Sequence, residues 1–326
     1  MKIREFRSSL ALSLQRIVEL RQSLGYNDKG VISHLVHFDR FLVARRWRRK
    51  TLTRELVEDW ASSDGPLKPS SRAKRLHAMR ILGRFIAQTH PKTYVPGRTW
   101  GPRQGSGFRP HIYSDVELRA LFAEATRLTP RGSLRPKTYF TLLALLYCTG
   151  LRISEALALK LSDVDLDEGI LVVRESKFHK SRAVPLHYTS VQALRDYRHS
   201  RDARGDSVDR DASFFVNERR RPLNYPVVCS TFLDIARRSG IRKGAGVRGP
   251  RIHDLRHSFA VHRLLAWYRD GGDVQARLPL LATYLGHVSI VSTQVYLEIT
   301  AELLQEAARR FKAPPLNPIF SRGTNR

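Results

Sequence analysis

The stretch from Thr89 to Pro110, THPKTYVPGRTWGPRQGSGFRP, divides this chain in two. It is dense in proline and glycine and lacks the helical spacing of apolar residues found on either side. Proline cannot donate to a continuing helix or ladder, and glycine loses the most backbone freedom on ordering, so such a stretch connects folded units. A chain of 326 residues interrupted in this way suits two domains. The expected organisation is a first domain over residues 1–92, a linker over 93–110, a second domain over 111–312 and a C-terminal tail over 313–326.

The first segment reads as four helices on short loops. Leu10, Leu14, Ile17, Val18 and Leu20 form a stripe within Ser8–Leu24, at the spacing of one helix face. Val31–Val43, Thr53–Trp60 and Ser70–Gln88 repeat the pattern, with Thr53 a capping-type threonine. After the break, Ser114 with Glu117 three residues on forms a capping box. Lys137–Cys148 and Ser154–Leu161 read as helices. The period then changes: Ile170–Arg174 and Ala183–Leu186 are β-like runs around the polar turn Ser176–Arg182, and Phe214–Asn217 is expected to add a third strand. Helical pattern resumes from Val227 to about Phe311, with an extra surface loop expected over Trp267–Pro279. The fold class is therefore mainly α with a small antiparallel β-sheet: a helical first domain followed by a mixed α+β domain.

Charge narrows the partner. Lys and Arg total 57 against 30 Asp and Glu, a net of +27. The excess divides almost evenly, +13 over residues 1–98 and +14 over the remainder. Such self-repulsion points to a polyanionic partner, and two basic domains suit a duplex gripped from two sides. No basic amphipathic helix with an exposed apolar face argues for a membrane surface, and no apolar run approaches the ~20 residues needed to span a bilayer. The opening MKIREFRSSL lacks a secretory leader's apolar core, and two cysteines, Cys148 and Cys229, offer no disulfide framework. A cytoplasmic protein is expected.

Four local motifs share a phosphate theme. In Thr149-Gly150-Leu151-Arg152-Ile153-Ser154-Glu155, one helix stops at the glycine and Arg152 opens the next, where a guanidinium fork beside a helix N-terminus suits a phosphate. Glu155 is placed to support the turn or orient Arg152. The turn Glu175–Arg182 is crowded with Lys and Arg, and Lys177 lies where a strand enters it. In His253-Asp254-Leu255-Arg256-His257-Ser258, His253 and Arg256 share a helix face, pairing a titratable group with a fixed cation, while His257 is expected to face elsewhere. Leu285-Gly286-His287 ends one helix at a glycine, and Tyr296 follows nine residues after His287. A lone tyrosine is ordinarily a packing residue; it becomes a nucleophile only where cations stabilise its phenolate or a base takes its proton. His253 and His257 stand four apart, but Asp254, Leu255 and Arg256 between them do not make the H-E-x-x-H zinc pattern, and a central arginine would repel a cation. No phosphate-binding loop of the G-x-x-x-x-G-K-[ST] type is present. No metal and no cofactor are expected.

Together, T-G-L-R-I-S-E, a basic β-hairpin ending in V-P-L, H-D-L-R-H-S-F-A and L-G-H followed by a tyrosine, in this order, resemble the tyrosine recombinase family of Xer recombinases, phage integrases, Cre and relatives. The resemblance spans about residues 110–311, and the first domain is similar in position, size and helix content to the family's core-binding domain. It implies that Arg152 and Arg256 clamp the scissile phosphate, that His287 adds a third contact, and that His253 assists proton transfer. Lys177 would protonate the departing 5′ oxygen; it is chosen over Lys180 because the hairpin layout up to Ala183-Val184-Pro185-Leu186 matches the family's. Tyr296 would attack phosphorus to give a 3′-phosphotyrosine. The implied activity is site-specific recombination or integration of duplex DNA without metal or ATP, by a homotetramer in the synaptic complex, with other recombinase subunits as further partners and a mobile element as the setting. The alternatives are a type IB topoisomerase-like relaxing enzyme and a non-catalytic DNA-binding relative. A tail over 313–326 with Leu316, Ile319 and Phe320 among prolines is read as a segment that docks on a neighbouring protomer.

Overall fold

The computed structural model describes residues 6–26, 29–63, 65, 67, 69–97, 110–176, 180–203, 205, 209–244, 249–287, 289–294, 296, 303, 305, 306 and 309, excluding the side chains of residues 175, 176, 180 and 291. The chain divides into two compact units, Met1–Phe108 and Arg109–Arg326.

The first unit holds α1 (Ala11–Ser23), α2 (Lys29–Ala44), α3 (Arg54–Ser62) and α4 (Pro69–Ala87). The Thr53 side chain caps α3 by accepting from Leu56 N at 3.2 Å. The stripes anticipated in the sequence converge: Leu14, Val18, Leu35, Phe38, Leu56, Trp60, Met79 and Leu82 are buried together. Trp60 is the largest side chain in this core. Arg75 lies over its ring at 5.2 Å and donates to its carbonyl at 2.9 Å, so a buried cation is satisfied by a π face and a helix-end oxygen. Packing continues past residue 92. Tyr94 N donates to Leu52 O at 2.9 Å, and Arg80 donates to the carbonyls of Pro96 and Gly97. Residues 93–97, assigned to the linker on composition, are thus held to this unit, because backbone bonds stabilise an extended segment that has no period of its own.

The second unit opens with α5 (Asp115–Thr126), whose Ser114–Glu117 capping box forms. Next come α6 (Leu134–Thr149) and α7 (Ile153–Ala158). α6 is apolar around most of its circumference and packs against α5, α8 (Tyr188–Asp202) and α10 (Asp254–Arg269), as expected of a helix buried on several sides. A 3-10 turn over Leu161–Asp163 leads into the antiparallel sheet β1–β2–β3, formed by Val164–Asp165, Ile170–Ser176 and Lys180–Pro185. α9 (Tyr225–Arg238), α11 (Val274–Leu285) and α12 (Val291–Gln294) complete the described elements.

Three expectations change. The third strand is Val164–Asp165, not Phe214–Asn217. Phe214, Phe215 and Val216 are all buried, without the in–out alternation of a half-buried strand; Val216 makes only an isolated bridge to Pro222, which has no amide hydrogen to extend a ladder. The loop expected over Trp267–Pro279 shrinks to Asp270–Asp273: α10 runs on to Arg269, and α11 starts at Val274 under the Asp273 side-chain cap on Ala276 N. α8 was not anticipated, because Val191, Leu194 and Tyr197 are its few buried apolar contacts on an otherwise charged helix.

The apolar interior of this unit has two parts. One runs from Tyr113 through α6, the sheet and α9 to Leu255; the other gathers Phe259, Leu264, Leu278, Leu285, Tyr296 and Leu303. They meet at Gly150. A methyl group there would stand 2.6 Å from both Leu285 Cδ2 and Phe259 Cδ1, and its φ is +63°. Gly150→Ala is therefore expected to cost about 3 kcal/mol or more, combining left-handed strain with overpacking. Denaturant unfolding of the variant checks this; an unchanged midpoint would refute the close packing described.

Candidate active site

Two helix ends build the site. α6 ends at Gly150 and α11 at Gly286, both in left-handed conformations. Such ends present carbonyl oxygens without helical partners, at the negative pole of the helix dipole. Those oxygens hold guanidiniums. Arg256, buried on the first turn of α10, donates to Gly150 O at 2.5 Å and to Leu285 O at 2.8 Å. Arg152, the N-cap of α7, donates to Gly286 O at 3.2 Å and to Glu155 Oε1 at 2.7 Å. Arg182 on β3 donates to both Glu155 oxygens, at 3.1 and 2.9 Å.

Among the described residues, Glu155 is the one carboxylate hydrogen-bonded to any of these guanidiniums, taking Arg152 and Arg182 but not Arg256, so the cluster carries surplus positive charge. Burial alone would raise its pKa; the bonds from Arg182 and from Arg152, side chain and backbone, reverse that and hold it at about 2 instead of 4.5. A carboxyl depressed on folding adds stability that is complete above its unfolded value and lost as pH falls through its folded value. The window here is about pH 4.5 down to about 2, and the linkage amounts to about 3 kcal/mol. The stability lead of wild type over Glu155→Gln is expected to narrow as pH drops through that window in thermal unfolding; a constant lead would disprove the linkage.

Tyr296 is buried between histidines. Its ring centroid lies 6.1 Å from that of His287, nearly parallel, and 5.5 Å from that of His257. His257 in turn meets His253 edge-on at 4.9 Å. Burial raises the Tyr296 phenol above its usual range, while the charge of Arg256, a hydrogen bond from that guanidinium and the charge of Arg152 pull it back. His287 Nδ1 shares a 2.8 Å hydrogen bond with the Thr293 hydroxyl, itself wholly buried. Desolvation, then Arg256, Arg152 and Arg182, lower His287 to about 4. His257 also falls to about 4, through burial and then His253. His253 caps α10 at the surface of the site and is lowered by partial desolvation, Arg256 and Arg251. The imidazoles of His257 and His287 are therefore neutral at pH 7.

The structure thus brings together Arg152, His253, Arg256, His287 and Tyr296. Lys177 lies outside the described residues. His257, expected to face elsewhere, packs on Tyr296 with ring centroids 5.5 Å apart. Sequence reasoning missed Arg182 and Thr293. The alternation in Ser181-Arg182-Ala183-Val184 would have found Arg182, since it shares the inward parity of Val184. Nothing in the polar run Ser292-Thr293-Gln294 singled out the middle residue. Among the described residues, no group of His, Cys, Asp and Glu is arranged to hold a metal ion, and no helix is long and apolar enough to cross a membrane.

A helical unit, then a mixed unit with a guanidinium cluster beside a buried phenol, define the class by shape and chemistry, and comparison with known proteins places the chain within it. The phage integrase family profile matches residues 115–302. The putative integrase/recombinase y4rB of Sinorhizobium fredii is 35% identical over 308 residues, covering 94% of this chain and 98% of the relative. Tyrosine recombinase XerD of Bradyrhizobium diazoefficiens is 31% identical over 252 residues, covering 74% and 76%. In fold, the chain resembles the XerH site-specific recombinase bound to its palindromic difH substrate after cleavage, with a TM-score of 0.64, 22% identity and coverage of 94% and 85%. It also resembles a lambda integrase dimer bound to a COC′ core site, with a TM-score of 0.59, 21% identity and coverage of 87% and 96%. The chain belongs to the phage integrase family of tyrosine recombinases.

Proposed function

We propose that this chain is a site-specific DNA recombinase that cuts and rejoins duplex DNA through Tyr296, without metal or ATP. The observation that carries the proposal is the pair of helix-end-anchored guanidiniums, Arg152 and Arg256, beside a buried phenol whose ionisation their charges favour. In the proposed step, Tyr296 Oη forms a bond to phosphorus as the bond from phosphorus to the 5′ oxygen breaks. The phenol's proton passes to His253, and Lys177 protonates the leaving oxygen. Arg152, Arg256 and His287 hold the non-bridging oxygens, whose negative charge grows in the pentacoordinate transition state. Donors fixed in advance stabilise that charge more than the ground state. The product is a 3′-phosphotyrosyl linkage, and the reverse attack by a 5′ hydroxyl reseals the strand with no external energy source.

DNA strand exchange by four protomers, with the basic first unit as a second grip on the duplex, is the wider assembly supported by the charge spread over both halves of the chain. Relatives named integrase or recombinase along nearly their whole length favour a mobile-element setting. The test is incubation with a pool of nicked duplexes of randomised sequence, followed by denaturing electrophoresis. The expected result is a denaturation-resistant adduct whose tryptic peptide carries the nucleotide on Tyr296. No adduct, or one on another residue, overturns the proposal. Joined products from two marked duplexes, and not relaxation alone, are expected from the sequences recovered.

A further inference from the structure

We infer that Arg182 is a positioning residue for phosphate capture, locking Arg152 and the helix end that presents His287 into one frame. This rests on the active-site reading above and deepens it.

The strand itself points to the role. In the β2–β3 ladder, Leu171 pairs with Val184 and Val173 with Arg182. Leu171, Val173 and Val184 are buried, while Ser181 and Ala183 on the opposite parity are exposed. Arg182 therefore occupies the inward row, where the period of two calls for an apolar side chain. A guanidinium there must find acceptors within the protein. All three of its nitrogens do so: two on Glu155, and Nε on Tyr284 O at 3.0 Å. With all three nitrogens engaged within the protein and its side chain 11% exposed, Arg182 is placed to hold other groups in position.

What it holds forms a closed circuit. Glu155 receives Arg182 on one side and Arg152 on the other, Arg152 reaches Gly286 O, and Arg182 returns to Tyr284 O two residues earlier. The guanidinium also lies against Gly286, where a methyl group would stand 2.7 Å from one of its nitrogens. His287 follows directly. One side chain from the hairpin strand therefore fixes both the orientation of Arg152 and the path of the chain into His287. It also shares the Glu155 charge. Without Arg182, that carboxylate, shielded from water, is left to Arg152 alone and competes with a bound phosphate for it.

The test uses a nicked duplex recovered from wild-type trapping, at saturating protein, with full-length Arg182→Ala and Arg182→Lys. Both are expected to bind the duplex as wild type does and to form the Tyr296 adduct more slowly, by about 10²-fold for Ala, the scale of a misplaced catalytic group. Lysine keeps the charge but cannot span Glu155 and Tyr284 O together, so its rate falls between the two. The distinguishing readout is rescue: Glu155→Gln in the Arg182→Ala background removes the competing charge and raises the adduct rate. Lowering the pH, which neutralises the freed Glu155, is expected to narrow the gap between Arg182→Ala and wild type. Adduct rates within threefold of wild type in both variants, or an Ala defect indifferent to Glu155→Gln and to pH, overturn the inference alone. Failure of wild type to trap any duplex overturns the active-site reading on which it rests.

Discussion

Tyr296→Phe is expected to give a folded chain that binds its DNA and forms no denaturation-resistant adduct. The substitution removes one oxygen and keeps the ring, so the packing against His257 and His287 survives. Within the fold, it removes one buried hydroxyl, a change on the order of 1 kcal/mol in stability. On the proposed reading it abolishes cleavage, because the attacking oxygen is gone. Binding of duplex by gel shift and adduct formation on a nicked duplex separate the two effects. An adduct formed by Tyr296→Phe would show that another residue attacks.

Arg256→Lys is expected to lower the rate of adduct formation by roughly 10²–10³, the usual effect of losing one preorganised donor to a developing anion. Arg256 is buried, and its two terminal nitrogens are held by oxygens from the ends of two different helices. That anchoring sets the direction in which the rest of the fork points. Burial lowers its pKa to about 10, with Arg152 adding to the fall and Tyr296 opposing it, so the side chain remains cationic at neutral pH. A lysine keeps a charge but has one nitrogen, which cannot satisfy Gly150 O, Leu285 O and a phosphate oxygen in fixed geometry. Single-turnover trapping at saturating DNA measures the loss. A rate within tenfold of wild type would mean that charge alone, without the planar fork, does the work at this position.

The legibility of the fold followed the strength of each local signal. Helices with wide apolar stripes, such as α2 and α6, were plain in the sequence. α8 was not, since its contact with the core rests on three apolar residues in a charged segment. Phe214–Val216 looked like a strand because three apolar residues in a row suit burial in a sheet or in a loop alike, and only the location of partners separates the two. The proline–glycine break pointed to two units, yet it could not show that residues 93–97 would be captured by bonds to Leu52 and from Arg80. Those bonds join residues far apart in the chain and leave no trace in local composition.

The sequence by itself determined which groups are available: two arginines after helix-ending or helix-starting signals, histidines at fixed offsets, one tyrosine nine residues beyond the histidine that follows a glycine-terminated helix, and the charge that selects a polyanion. These are local properties of spacing, capping and composition, and they persist whatever the chain packs against. Only the tertiary structure decided how those groups are held. The carbonyl oxygens that aim Arg256 come from α6 and α11, and the carboxylate that orients Arg152 is shared with an inward-facing arginine on β3. Because Arg256 and its carbonyls, and Glu155 and Arg182, lie 27 to 106 residues apart in the chain, folding alone brings their dipoles and charges within hydrogen-bonding distance, where each is strong enough to fix an orientation.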